Sequence, residues 1–348
     1  MTSAQTTHTE YKHTHVSRSF TLGSTPCVEL TGLEYFRIEQ IFDCGQCFRF
    51  EPVESARALT APLEFEGVAY GKYVRFGQES PDRLIIYNTT PDEYERLWRH
   101  YLSLDTDYAA VRADIAAGFA AACGGYDQVI ADAMECGSGI RILNQEPWET
   151  VCSFIISQNN NIPRIKGLIS ALSRECGEPA ALPSDASVPK PTATPQTVSI
   201  PEPAATPQTA YIPEPARYSF PTPESLLRLG EDGLAKLKVG FRAKYIYDAA
   251  SRAADGRLDY NRIFAASTDD ARELLCKVKG IGPKVANCAL LFAFGKTDAF
   301  PVDVWIKRVL AEYYPQGLDI TRLGPNAGIA QQYLFYYVRD RDAKDNGK

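Results

Sequence analysis

Along the chain the rhythm of hydrophobic and polar positions changes near residue 90. Between residues 20 and 88 it is short. Leu63-Glu64-Phe65-Glu66 alternates, and Tyr73-Val74-Arg75-Phe76 and Leu84-Ile85-Ile86-Tyr87 are β-prone runs bounded by Gly, Pro or Asn. A period of two sends alternate side chains to opposite faces of a strand, which predicts an antiparallel sheet. A helix start follows at Thr90-Pro91-Asp92-Glu93: an N-cap, a proline in the first turn and two acids facing the helix dipole. Tyr94, Leu97, Trp98 and Tyr101 then fall at i, i+3, i+4 and i+7. Helical spacing continues to about Cys176, including Trp148 through Ile156, and resumes at Pro223-Glu224-Ser225-Leu226-Leu227. The fold class is therefore α+β. An N-terminal antiparallel β-sheet domain with flanking helices is expected over 19–125. Two mainly α-helical domains are expected over 126–176 and 224–348.

Two stretches fit neither rhythm. Residues 1–18 are polar and rich in Thr and His, and are expected to form a disordered tail. Residues 177–223 are dense in Pro, Ala, Thr and Ser, and contain a tandem repeat built on Ala-Thr-Pro-Gln-Thr and Ile-Pro-Glu-Pro-Ala. Two copies are too few for a solenoid, so this segment is expected to be a flexible, polyproline-biased insert.

The 348 residues suffice for two or three packed domains. Composition is that of a globular protein, 45% hydrophobic and 23% charged. A net charge of -6 argues mildly against a general nucleic-acid binder, although a local basic surface can still engage phosphates. Nine irregularly spaced cysteines, no signal-type apolar core and no membrane-length apolar run point to free thiols in a reduced, intracellular compartment.

Chemistry concentrates between Asp270 and Leu310. Residues 271–278 read as one helix and 285–294 as a second, joined by Lys279-Gly280-Ile281-Gly282-Pro283-Lys284. That is a helix-hairpin-helix over 271–294. Gly280 and Gly282 let the backbone approach a phosphate, N–H groups at the second helix's start point at it, and Lys279 adds charge. A lone Gly-x-Gly would equally serve as a plain helix connection. Pro283 suits the first helical position, which sets Lys284 in the first turn. The positive end of the dipole opposes a second positive charge there, and a nucleophilic lysine acts as the neutral amine. Nineteen residues on, Asp303 in Phe300-Pro301-Val302-Asp303-Val304 is placed as the N-cap of another amphipathic helix. Taken singly, Lys284 reads as well as a phosphate contact, and Asp303 as a cap alone.

These two segments resemble the helix-hairpin-helix–Gly/Pro–Asp superfamily of DNA glycosylases. Three further segments, in the same order, resemble its 8-oxoguanine DNA glycosylase family: Asp43-Cys44-Gly45-Gln46-Cys47-Phe48-Arg49, Ser157-Gln158-Asn159-Asn160-Asn161-Ile162-Pro163-Arg164, and Val239-Gly240-Phe241-Arg242-Ala243-Lys244-Tyr245. The resemblance implies double-stranded DNA containing 8-oxoguanine as partner, and a target nucleotide flipped from the stack. It implies Lys284 as nucleophile at C1′ and Asp303 as support for the cationic sugar. Gly45 would offer a main-chain carbonyl to the lesion's N7–H, Gln331 would bind the base's Watson–Crick edge, and Cys288 and Phe335 would sandwich the ring. Asn159, Arg164, Phe241 and Arg242 would handle the opposite strand and its orphaned base. Cytosine is the expected opposite base. No cofactor, metal or membrane is implied, and a monomer is expected. The chain departs from the family pattern at Trp305, where histidine is frequent, and at Val338, where an acid is frequent.

Rival readings fit less well. Iron–sulfur members of the superfamily carry four close cysteines near the C-terminus, and no cysteine follows Cys288. Alkylation-specific members lack the hairpin lysine. A non-enzymatic hairpin module has no need of Lys284 paired with Asp303. Cys44-Gly45-Gln46-Cys47 lacks both a thioredoxin-like context and the second pair of a zinc site.

Overall fold

A computed structural model describes residues 15–180 and 217–347. Six strands form one antiparallel sheet: β1 (His15–Leu22), β2 (Thr25–Thr31), β3 (Phe50–Pro52), β4 (Leu63–Ala69), β5 (Lys72–Ser80) and β6 (Arg83–Tyr87), in the order β1-β2-β6-β5-β4-β3. The register lines up Val28, Ile86, Phe76 and Phe65 across four strands. This apolar row buries against Ile38, Ile41 and Phe42 of α1 (Ile38–Asp43) and against Trp98 and Tyr101. The period of two leaves the opposite face to Glu64, Glu66, Tyr73 and Arg75. That face is also mostly buried, with Arg75 Nε 2.8 Å from Glu64 and the Tyr73 hydroxyl donating to Glu66 at 2.7 Å.

Residues 91–101 form a continuous helical run, started by Thr90 as predicted: its Oγ1 accepts the Glu93 N–H at 3.2 Å. The run turns π-helical over Tyr94–Trp98. Beyond it the chain is helical: α2 (Tyr108–Cys123), α3 (Gln128–Cys136), α4 (Pro147–Ile156), α5 (Ile162–Cys176), α6 (Pro223–Lys236), α7 (Ala243–Ala254), α8 (Tyr260–Ala265), α9 (Thr268–Cys276), α10 (Pro283–Ala293), α11 (Val304–Tyr313) and α12 (Ala327–Asn346). α4 is the hub. Eight of its residues are buried, and its Phe154 stacks on Phe292 of α10 with centroids 5.4 Å apart. Burying each such aromatic or aliphatic side chain contributes about 1.5–3 kcal/mol.

Three boundaries differ from expectation. The tail ends sooner than Arg18, because His15–Arg18 open β1 against β2; residues 1–14 lie outside the described residues. The packing boundary between sheet and helical core falls before 125, inside the expected 19–125 domain. Tyr108, Val111, Ile115 and Phe119 of α2 sit in the helical core, whose apolar face they complete. The insert is shorter than 177–223. Pro179 bridges Tyr218, the Phe220 ring is buried, and the Pro221 carbonyl accepts the Trp148 indole N–H at 2.8 Å. The rest of it, 181–216 with its repeat, lies outside the described residues.

Candidate active site

A cleft of about 830 Å³ opens between the sheet domain and the helices. Its floor is made by two helix starts. Gly282 is the N-cap of α10 and Pro283 its first residue, so Lys284 falls in the first turn as predicted. Cys288 follows one turn later on the same side. Lys284 is half-buried, with Nζ 5.4 Å from the centroid of Phe154. The α11 start supplies Asp303, whose Oδ1 accepts the Ile306 N–H at 2.9 Å. Each helix start leaves main-chain N–H groups without intrahelical partners and directs the positive end of its dipole into the cleft. Burial pushes the Cys288 thiol up to about 11. The Lys284 ammonium opposes that shift and the Asp303 carboxylate adds to it. The thiol is therefore neutral at physiological pH and shares the cleft with the amine and the carboxylate.

The hairpin before α10 is built around Gly280. Its φ is +84°, and a Cβ there would lie 2.3 Å from the Tyr245 ring, so glycine is required twice over. Lys279 is exposed, and its main-chain N–H donates to Asp248 of α7 at 2.9 Å.

One wall is the loop 43–47. Gly45 has φ +78°, and a Cβ on it would meet the Phe335 ring at 3.2 Å. The loop is fixed from behind by Gln46, which is fully buried. Its Nε2 donates to the carbonyls of Ile41 and Arg141, each at 2.9 Å, and its Oε1 accepts the Leu143 N–H at 2.8 Å. Gln145 Nε2 donates to the Gln46 carbonyl at 2.7 Å, while its own main-chain N–H donates to Phe292 of α10. From α12, Gln332 Nε2 donates to the Cys44 carbonyl and Arg339 grips Asp43. Gln331, beside Gln332, lines the cleft at 3% exposure, and its buried Oε1 has no hydrogen-bond partner. An unpaired buried acceptor costs about 1–3 kcal/mol, which a ligand donor would recover.

The opposite wall is the loop 158–161. Asn159 sits at φ 48°, a left-handed conformation that asparagine tolerates. Asn161 caps α5, its Oδ1 accepting the Arg164 N–H at 3.0 Å, and Asn160 Nδ2 donates to the Ile156 carbonyl at 3.3 Å. Phe241 projects into the cleft at 47% exposure.

Gly45, Asn159, Phe241, Gly282, Lys284, Cys288, Asp303, Gln331 and Phe335 thus share one cleft. Arg164 and Arg242 are not on its wall. Arg164 is exposed at the first turn of α5. Arg242 is buried at 4% exposure, donating to the carbonyls of Gln158, Asn159 (3.1 Å) and Val239 (3.2 Å). Of the departures, Trp305 lines the cleft with the Arg308 guanidinium 4.9 Å from its ring centroid, and Val338 is core. The supports Gln46, Gln332 and Arg339 went unforeseen. Glutamine inside a turn and glutamine on a helix carry no periodicity that reveals a partner about 100 or nearly 300 residues away.

Among the described residues, no helix is long and apolar enough to cross a membrane.

Residues 30–151 match the family model of the 8-oxoguanine DNA glycosylase N-terminal domain, and residues 152–318 match that of the HhH-GPD superfamily of base excision DNA repair proteins. A probable N-glycosylase/DNA lyase of Methanothermobacter thermautotrophicus is 32% identical over 242 residues, covering 61% of this chain and 68% of the relative. The structure of MBOgg1 with a low-affinity DNA ligand superposes with a TM-score of 0.75 at 33% identity, over 93% of this chain and 99% of that one. The Clostridium acetobutylicum 8-oxoguanine glycosylase/lyase, bound to double-stranded DNA with cytosine opposite 8-oxoG, superposes with a TM-score of 0.73 at 31% identity, over 91% and 96%. With both family models matched in sequence, and with the hairpin lysine and the capping aspartate in one cleft, this chain belongs to the 8-oxoguanine DNA glycosylase family.

Proposed function

We propose that this DNA glycosylase/lyase removes 8-oxoguanine from double-stranded DNA and then cuts the strand through a Schiff base on Lys284. The observation that carries the reading is the placing of Lys284 and Asp303 at two helix starts that line one cleft with Cys288. The Nζ lone pair attacks C1′ as the glycosidic bond breaks. The base leaves with the bonding pair and is protonated. Asp303 offsets positive charge growing on the sugar, and electrostatic support of that kind is worth about 10²–10³ in rate. Opening of the C1′–O4′ bond, with a proton passing from Nζ to O4′, turns this amine adduct into an imine, which acidifies the C2′ proton. Its removal expels the 3′ phosphate oxygen by β-elimination, and hydrolysis of the imine returns the amine.

The lesion differs from guanine at N7, where it has a donor in place of an acceptor. A main-chain carbonyl at Gly45 accepts from the one and repels the other. Gln331 meets the Watson–Crick edge, and Cys288 and Phe335 hold the ring between them. Cytosine is preferred opposite, because its O2 and N3 are adjacent acceptors and arginine is a donor only. Asn159 enters the vacated stack and Arg164 donates to the orphaned base. Arg242 serves the same reading by holding the Asn159 loop.

Borohydride reduction of the imine on lesion-bearing duplex tests the chemistry. Wild type should cross-link to DNA, and Lys284→Gln should bind but neither cross-link nor excise. Trapping at wild-type level in the variant overturns the assignment of the nucleophile.

A further inference from the structure

α5 begins at the Asn159 loop and runs back along the edge of the sheet. Lys166, Ser170, Ser173 and Arg174 fall at i, i+4, i+7 and i+8, on one face of it. That face, the β3–β4 edge and Arg217-Tyr218 enclose a second cavity of about 310 Å³. A depression along Ile162, Pro163, Lys166 and Ser170 joins it to the catalytic cleft.

The lining is electrically unbalanced. Arg49, Arg57, Lys166, Arg174 and Arg217 face Glu51, Glu54 and Glu66, with Glu149 behind Arg49, which leaves one positive charge in excess among the described residues. Glu66 is shared by Arg57, at 3.1 Å, and Arg217. Lys166 is tied to Glu51 at 3.1 Å and Arg49 to Glu149 at 3.0 Å, whereas Arg174 is exposed at the rim. The second observation is a hydroxyl. Ser173 is 3% exposed, lines this cavity, and its Oγ has no hydrogen-bond partner. Buried hydroxyls are paired as a rule, and this one could donate to an anion.

We propose that this cavity binds a phosphate group, held by Ser173 and Ser170 as hydroxyl donors and by Arg174 and Arg217 as guanidinium forks. A phosphate carries the charge that the lining lacks and enough oxygens for several donors at once. Bound there, it would tie the helix that carries the Asn159 loop to the edge of the sheet. The phosphate comes either from a small free ester or from a DNA backbone lying along the α5 depression.

Melting of the full chain in inorganic phosphate, against chloride at matched ionic strength, tests the site without reference to catalysis. Wild type should gain about 2–4 °C in Tm, saturably. Ser173→Ala combined with Arg174→Ala should lose the gain; Arg174→Glu alone is the second variant should the pair fold poorly, and should also lose it. No saturable gain in wild type, or an equal gain in the variants, overturns the proposal. Repeating the titration with saturating undamaged duplex identifies the source. A gain abolished by DNA assigns the site to the strand backbone, and a gain that persists assigns it to a small phosphate ester; the binding site stands in both.

Discussion

The two loops that face each other across the cleft are held in opposite ways. Loop 43–47 is fastened from inside by a buried glutamine with three hydrogen bonds, and from outside by two side chains of α12. Its anchors reach the irregular segment 141–145 and, through Gln145, the helix that carries Lys284. Loop 158–161 closes with its own asparagines and rests on Arg242. The first wall is a fixed template; the second hangs on one strut. A site that must reject undamaged guanine gains from a rigid pocket, because small displacements erase a discrimination built on one donor or acceptor. A reader of the partner strand can move as the duplex is engaged.

The largest effect is expected where the fixed wall loses its fastener. Gln46→Ala removes three buried hydrogen bonds and leaves their partners unpaired, costing about 3–5 kcal/mol. Denaturant unfolding should show that loss together with reduced preference for the lesion over guanine. If Arg242→Ala costs as much stability, the contrast between the walls collapses. Gly45→Ala comes next. It must adopt φ +78° and push the Phe335 ring from 3.2 Å. Preference for the lesion should fall by about 10–100-fold, matching one polar mismatch of roughly 1–3 kcal/mol. Unchanged preference, read from excision of lesion and normal base, would remove the template from the recognition. Arg164→Ala should flatten the preference for cytosine over adenine opposite the lesion by about tenfold, with activity on the cytosine pair kept. An equal loss for all four opposite bases, with a shallower salt dependence, would make Arg164 a phosphate contact instead.

The smallest effect concerns the carboxyls at the start of α4. Burial, and secondarily the charge of Glu149, push Glu146 up to about 7, with Arg49 opposing. A raised carboxyl favours the fold while protonated, so its contribution is full below about pH 4.5 and is lost as the pH rises through about 7. Glu146→Gln should therefore melt about 1–3 °C above wild type at pH 8 and close to it at pH 4.5. A pH-independent difference would mean that the carboxyl stays charged throughout.

Sequence alone revealed whatever local rules write down. Short β-prone runs located β4, β5 and β6, Thr90 and Asp303 were readable as caps, and Pro283 fixed Lys284 in its first turn. The edge strand β1 escaped because its half-exposed residues carry little apolar alternation. The placing of α2 in the helical core escaped because an amphipathic helix does not name the face it will cover. The role of Arg242 escaped for a different reason. An arginine in a DNA-binding segment suggests a contact outward, and only the folded loop reveals carbonyls turned inward to meet it.

Gly280 has a mechanical consequence. Because the hairpin lies flush on the Tyr245 ring, and Lys279 is tied to Asp248, the turn cannot slide along α7. Phe241 stands edge-on to that same ring, 5.9 Å away. The hairpin turn, the Tyr245 ring and the Phe241 ring are therefore coupled like a latch: none of the three can shift without displacing the next.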